Sequence, residues 1–262
     1  MPGAKAFVRY VPERFDDIAW ENDRIAFRVY GPALQVHPGD GPESGQDVWV
    51  KRTREMVING WYKSGDYHRD HGQGMDCYEV GKSRGCGGIG IWDGTKMAVS
   101  LNWTSYKILQ NGPDTASFQM SFAPYDAFGK KITESRVTTL QAGSNLNKIE
   151  TTLTSDQPGD LIVAIGIAKR PGTGGKLVED KEHGILGYWE PPTKNAGSIG
   201  LGVLVDPAIV TGFAEDADNY LMLVKVTAGV PFVRYAGACW SKGLDFHTPD
   251  EWMSYLSGYT RN

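Results

Sequence analysis

The 262-residue chain has no long apolar run, few cysteines and no surplus of positive charge. Its longest apolar stretch, "LIVAIGIA" at 161–168, is far short of the roughly 20 residues that a bilayer-spanning helix needs. The opening residues, "MPGAKAFVRY", lack the apolar segment of a secretory signal. As written, the chain reads as cytoplasmic, or as periplasmic if a signal has been removed; no membrane partner is expected. A net charge of -4 and a pI near 5.8 argue against nucleic-acid binding, which normally shows a basic surplus. The three cysteines, Cys77, Cys86 and Cys239, are odd in number and match no zinc spacing. They read as buried or half-buried thiols, with a Cys77–Cys86 bridge as the alternative. Long helical periodicities are also scarce, and the strand–helix alternation of a parallel sheet is missing.

Short strands fill the chain instead. Gly (33 residues), Pro (14) and aromatic residues (11%) are plentiful. "RIAFRVYG", "DVWVKRT", "GIGIWDG", "KMAVSLNW", "ASFQMSFAP", "ITESRVTTL", "KIETTLTS", "LIVAIGIAK", "YLMLVKVTA" and "FVRYAGACW" all read as strands bounded by turn residues. That pattern predicts an all-β antiparallel sandwich in one domain over 1–262. "WDGTK" (92–96) predicts a hairpin. "HTPDEW" predicts one C-terminal helix, capped by Thr248 with Pro249 and Glu251, that packs on the sheet through Trp252, Tyr255, Leu256 and Tyr259. "RPGTGGK" and "EPPTKNAGS" read as long loops.

Some motif matches fail on context. "GCGGIG" (85–90) fits the dinucleotide spacing but runs into a strand and hairpin rather than a helix. Its glycines read as allowing close backbone packing or a bulge beside a site. "GTGGKL" lacks the Ser or Thr of a phosphate loop, and no nucleophile elbow is present.

Two strands carry a polar and aromatic face. Alternation places Ile25, Phe27 and Val29 opposite Arg24, Ala26, Arg28 and Tyr30, with Asn22 extending the polar side. It likewise places Val48 and Val50 opposite Asp47, Trp49 and Lys51. Such a face is either solvated or a cleft in which aromatics stack on a sugar and cations pair with its carboxylate. The segment "YHRDHGQGMDCYEVG" (67–81) holds two of the five histidines. His68 and His71 are three apart, which sends them to opposite faces of a strand and speaks against joint metal ligation unless Gly72 and Gly74 turn the chain. No cofactor is expected. For acid–base chemistry one imidazole suffices, with Asp70 or Asp76 setting its tautomer. His37, His183 and His247 read as surface residues.

The blocks "VPERFDDIAWENDRIAFRVYGPAL", "DVWVKR", "YHRDHGQGMDCYEVG", "GCGGIGIW", "GSNLNKIETTLTS" and "YAGACWSKGLDF" resemble a domain-of-unknown-function family. That family occurs in bacterial gene clusters that break down uronic-acid polysaccharides such as ulvan, and includes an ulvan oligosaccharide dehydratase. The resemblance covers most of the chain and implies a galactose-mutarotase-like β-sandwich. Many family members carry an extra N-terminal segment and a secretion signal, whereas this chain starts close to the "VPERFDD" block. Cys86 and Cys239 stand where small residues are expected.

Elimination from a uronate removes the C5 proton and expels the C4 oxygen. The site must neutralise the carboxylate, supply a base and protonate the leaving group. His68 or His71 is the candidate base or acid, with Tyr67 or Tyr78 as its proton-transfer companion. Arg28, Lys51 and Asn22 are candidates to hold the carboxylate, and Trp20 or Trp49 to stack on the sugar. The leading expectation is an oligosaccharide dehydratase. The alternatives are a lyase, a sugar mutarotase or epimerase, and a non-catalytic carbohydrate-binding module. No sequence feature assigns an oligomeric state.

Overall fold

A computed structural model describes residue 3, residues 5–37 and residues 44–261. The described residues form an antiparallel β-sandwich of nineteen strands with two short α-helices. One layer is a large sheet in the order β14 (Lys176–Asp180), β15 (Ile185–Trp189), β16 (Ile199–Val205), β19 (Phe232–Trp240), β12 (Leu146–Ser155), β11 (Lys130–Gln141), β9 (Thr115–Phe122), β8 (Trp103–Asn111), with β10 (Tyr125–Ala127) also on β11. Two five-stranded sheets lie side by side over it. The first is a meander of β1 (Ala6–Val11), β2 (Asp17–Asn22), β3 (Ile25–Val29), β4 (Gln46–Lys51) and β5 (Gly74–Met75). The second runs β17 (Val210–Glu215), β18 (Asn219–Thr227), β13 (Asp160–Ala168), β6 (Cys86–Trp92), β7 (Met97–Ala98). The meander covers β9, the second sheet covers β16 and β19, and a bridge between Gln46 and Gly85 joins the two along their seam.

Strand alternation explains the core. Ile18 and Trp20 of β2, Ile25, Phe27 and Val29 of β3, and Val48 and Val50 of β4 all enter the main apolar cluster. The Trp20 ring lies 4.8 Å from Phe118, and its Nε1 donates to Asn147 at 2.7 Å. Each fully buried aliphatic or Phe side chain here contributes about 1.5–3 kcal/mol. The glycines of "GCGGIG" do what close packing requires. A Cβ on Gly87 would stand 2.4 Å from the Ala236 Cβ, and β13 shifts register opposite this segment. The three cysteines are free thiols, Cys77 half-buried and the other two buried.

Each layer also has a capped outer face. Helix α2 (Pro249–Ser257) begins with the Thr248–Glu251 capping box and packs Trp252 and Leu256 onto β15 and β16. Helix α1 (Ile58–Ser64) covers the outer face of the meander, where Ala19, Ala26, Trp49, Ile58, Trp61 and Tyr67 form a second apolar cluster. No side chain of its own caps α1. Glu21 of β2 does so instead, its Oε2 and Oε1 accepting from the Val57 and Ile58 amides at 2.9 Å.

Candidate active site

Most of the outer face of the meander is covered by α1 and residues 65–80 rather than solvated or open. This corrects several sequence-derived assignments. Trp20 points the other way, into the sandwich core. Asn22 is buried at the β2–β3 turn, where Oδ1 accepts from Arg24 and Ile25 and Nδ2 donates to the Gln141 and Ser144 carbonyls. Trp49 does share a face with Lys51, but it is fully buried beneath Trp61, Tyr62 and Tyr67. Lys51 is spent on Glu21 at 2.8 Å and on the Asn22 carbonyl at 2.7 Å. These four side chains are therefore out of reach of a ligand in this conformation, because the protein satisfies or covers them.

Arg28 is the proposed binding residue that lines the cleft holding His68. Its Nε and Nη2 donate to Asp47 Oδ2 at 2.9 and 2.6 Å, and Nη2 also reaches Asp76 Oδ2 at 3.2 Å. Asp17 stands 3.8 Å from Nη1. Three buried carboxyls thus surround one guanidinium. Burial raises Asp47, and it pushes Asp17 up to about 7 against the pull of Arg28. Burial, with the charge of Asp47 behind it, pushes Asp76 up to about 8. Three carboxyls on one cation cannot all ionise easily, so the cluster retains protons near neutral pH.

Asp76 and Arg28 sit in the wall of a surface cleft of about 340 Å³ that also takes in Tyr30, His68, Tyr78 and Glu79. His68 is well exposed there, and its Nδ1 lies 3.2 Å from the Asp76 carbonyl and 3.6 Å from Oδ2 of the same residue. An Nδ1–H donated to that carbonyl leaves Nε2 as the nitrogen able to accept a proton. Tyr67 packs on Trp49 with ring centroids 4.8 Å apart and touches the His68 ring. Tyr78 lines the cleft, but its hydroxyl is buried without a hydrogen-bond partner, and burial holds it well above the usual tyrosine range. Arg170 lies over the Tyr78 ring at 4.6 Å and pairs with Glu190 at 2.9 Å.

His71 does not join this group. It pairs with Asp66 at 2.9 Å on the exposed side of the loop. Asp70 turns inward on the loop itself, accepting from the Gly72 and Gly74 amides, and pairs with Arg52 at 3.0 Å. Thus the two histidines diverge, and of the two aspartates it is Asp76 that contacts His68. The carboxyls Asp17 and Asp47 were not singled out from the sequence. Their one signal is alternation, which already put Asp47 on the Arg28 face.

An antiparallel β-sandwich with an imidazole–carboxyl cleft on one of its two smaller sheets is the class that fold and site define. The chain belongs to the family described as "Domain of unknown function (DUF4861)", whose model matches residues 2–262. It is 31% identical over 270 residues to the uncharacterized protein P7 of Formosa agariphila, covering 97% of this chain and 67% of that protein. Among solved structures it is similar to a heparinase III, at 10% identity and a TM-score of 0.49, covering 92% of this chain and 37% of that one. It is also similar to the galactosidase domain of an alpha-galactosidase–sucrose kinase, at 10% identity and a TM-score of 0.43, covering 90% and 42%. The chain thus spans less than half of either structure.

Proposed function

We propose that this protein acts on uronic-acid-containing oligosaccharides by β-elimination, as a dehydratase that removes water from a terminal uronate. The observation that carries the chemistry is the exposed His68 imidazole, held by Asp76 and backed by Arg28 in one cleft. The substrate class rests on the sequence blocks that resemble the ulvan-cluster family. In this reading His68 Nε2 takes the C5 proton, the C4–O bond breaks, and the departing hydroxide leaves as water once protonated, leaving a C4–C5 double bond. Asp76, which keeps its proton near neutral pH, is the acid for that second step. A protonated Asp76 also spares the substrate carboxylate a facing anion and lets the charge of Arg28 act on it.

The test is incubation with ulvan-derived oligosaccharides that end in a uronate. The expected result is new ultraviolet absorbance from the C4–C5 double bond and loss of one water by mass spectrometry. Absence of both refutes the reading. Cleavage into shorter unsaturated products marks a lyase instead, and anomer or epimer exchange by NMR without absorbance marks a mutarotase or epimerase.

A further inference from the structure

On the outer face of the large sheet, three neighbouring strands present one row of side chains. Lys148 of β12 stands across from Thr139 of β11 and across from Tyr235 of β19. The adjacent Ile149 and Arg234 are buried in the sandwich, so alternation turns Lys148 and Tyr235 outward. Lys148 is exposed, and among the described residues no carboxylate pairs with it, the nearby Glu150 included.

Two cavities open on this row and share Lys148 and Tyr235. One, of about 540 Å³, runs toward Val233 and toward Pro207 of the 3-10 turn Pro207–Ile209. Its walls are mainly apolar. The other, of about 120 Å³, runs toward Gln141, Ser144 and Tyr259, so its walls carry an amide and hydroxyls. The Tyr259 ring stands 5.4 Å from the Tyr235 ring. Together the two cavities make one elongated groove, apolar at one end and polar at the other, with an ammonium group where they meet.

The charge of the groove favours an anion. Arg261 lines the larger end and donates to the His183 carbonyl, which leaves its charge unneutralised. Asp206 lies on the same wall, where its Oδ1 caps the 3-10 turn by accepting from the Ala208 amide at 2.9 Å. Two cations thus stand against one carboxyl. The apolar end suits the C–H face of a pyranose ring, and the amide and hydroxyls suit its hydroxyl groups. An ammonium suits an anionic substituent. A neutral sugar would leave Lys148 unmatched, and a simple aliphatic acid would leave the polar end unmatched.

We infer that this groove is an accessory binding site for an acidic oligosaccharide, whose carboxylate or sulfate group rests on Lys148. It lies on the layer opposite the His68 cleft and shares no residue with it. It therefore holds a sugar chain without reacting with it, and the inference stands whether or not His68 carries out an elimination.

Calorimetric titration tests it, on the intact chain and on His68→Ala, in which no turnover adds heat. The probes are tetragalacturonate, a sulfated neocarratetraose and neutral cellotetraose. Saturable binding of at least one acidic probe is expected, at least about tenfold tighter than that of cellotetraose. Binding of tetragalacturonate alone assigns a carboxylate, and binding of the sulfated probe alone assigns a sulfate ester. Lys148→Gln should weaken that binding by about tenfold, the worth of a hydrogen bond to a charged group. Its thermal midpoint should be unchanged, because the side chain is exposed. His68→Ala should bind as the intact chain does. Absence of saturable binding with both acidic probes overturns the site, as does unchanged affinity in Lys148→Gln. Loss of binding in His68→Ala overturns it too, since the sugar would then sit in the His68 cleft.

Discussion

Two buried polar clusters in this molecule are mirror images in charge. On the outer face of the meander, Asp17, Asp47 and Asp76 surround Arg28. On the inner face of the large sheet, Arg84, Arg136 and Arg234 gather about Glu134. The two bear their imbalance differently. A crowded carboxylate takes up a proton at accessible pH, so the acidic cluster is self-adjusting. A crowded guanidinium keeps its proton, so the basic cluster carries its surplus charge. The first arrangement, beside an open cleft, suits proton transfer; the second, closed within the sandwich, is a fixed charge.

The largest expected effect falls on the acidic side. His68→Ala should lower turnover of a uronate oligosaccharide by about 10²–10⁴-fold, the usual contribution of a positioned base. Circular dichroism should stay unchanged, because the side chain is exposed. Full activity would take the cleft out of the chemistry and leave the comparison without its catalytic half.

Next in size is Arg28→Met. Removing the cation leaves three carboxyls facing one another and should destabilise the protein by about 3–5 kcal/mol at pH 8, read from denaturant midpoints. The loss should shrink at pH 5, where Asp17 and Asp76 are protonated. Arg84→Gln, one cation removed from the other cluster, should lack this penalty. Equal penalties in the two variants would erase the contrast.

Much of this fold is written in two-residue alternation. Ile25, Phe27 and Val29 do face the core and Arg28 does face away, as Asp47, Trp49 and Lys51 do together. The C-terminal helix was legible because its capping box is local. Helix α1 was not, because "INGWYKS" carries Asn59 and Gly60 and is capped by Glu21 from a distant strand. Missing that one helix turned a covered face into an apparent cleft and put Trp49 and Lys51 on it. Strand β8 was hidden for the opposite reason: most of its side chains are exposed, so no apolar period marks it. Within the site, residue type pointed to His68 and Arg28. Which histidine meets which aspartate depends on the path of residues 65–80, and local sequence does not encode it.

A smaller effect should appear in the pH dependence of stability. Asp17 and Asp76 hold protons in the folded state up to about 7 and about 8, whereas in the unfolded chain they lose them near 4. Between those values the folded state binds more protons, so these groups make stability fall as pH rises from about 4 to 8. Each group that keeps its extra proton lowers stability by about 1.4 kcal/mol per pH unit. Thermal midpoints measured from pH 5 to pH 8 check it, and Asp76→Asn should flatten the slope. The basic cluster adds no slope in this window, since its arginines stay charged throughout. A rise of stability across the window would mean that the carboxyls are ionised in the folded state, and the acidic cluster would then carry a surplus charge as the basic one does.

The smallest effect belongs to His71, and it tests how local the acidic cluster is. The two histidines are about equally open to solvent, with side-chain exposures of 66% for His68 and 59% for His71. Exposure therefore does not separate them; their neighbours do. Asp76 beside His68 is buried and tied to Arg28, whereas Asp66 beside His71 is half in water, and an ion pair there is worth about 0–1 kcal/mol. His71→Ala should change turnover by less than about twofold and the denaturant midpoint by no more than such a surface pair allows. A loss as large as that of His68→Ala would show that residues 65–80 act as one unit. The boundary of the site would then move outward to include Asp66, and the buried carboxyls would no longer account for why one imidazole works and its neighbour does not.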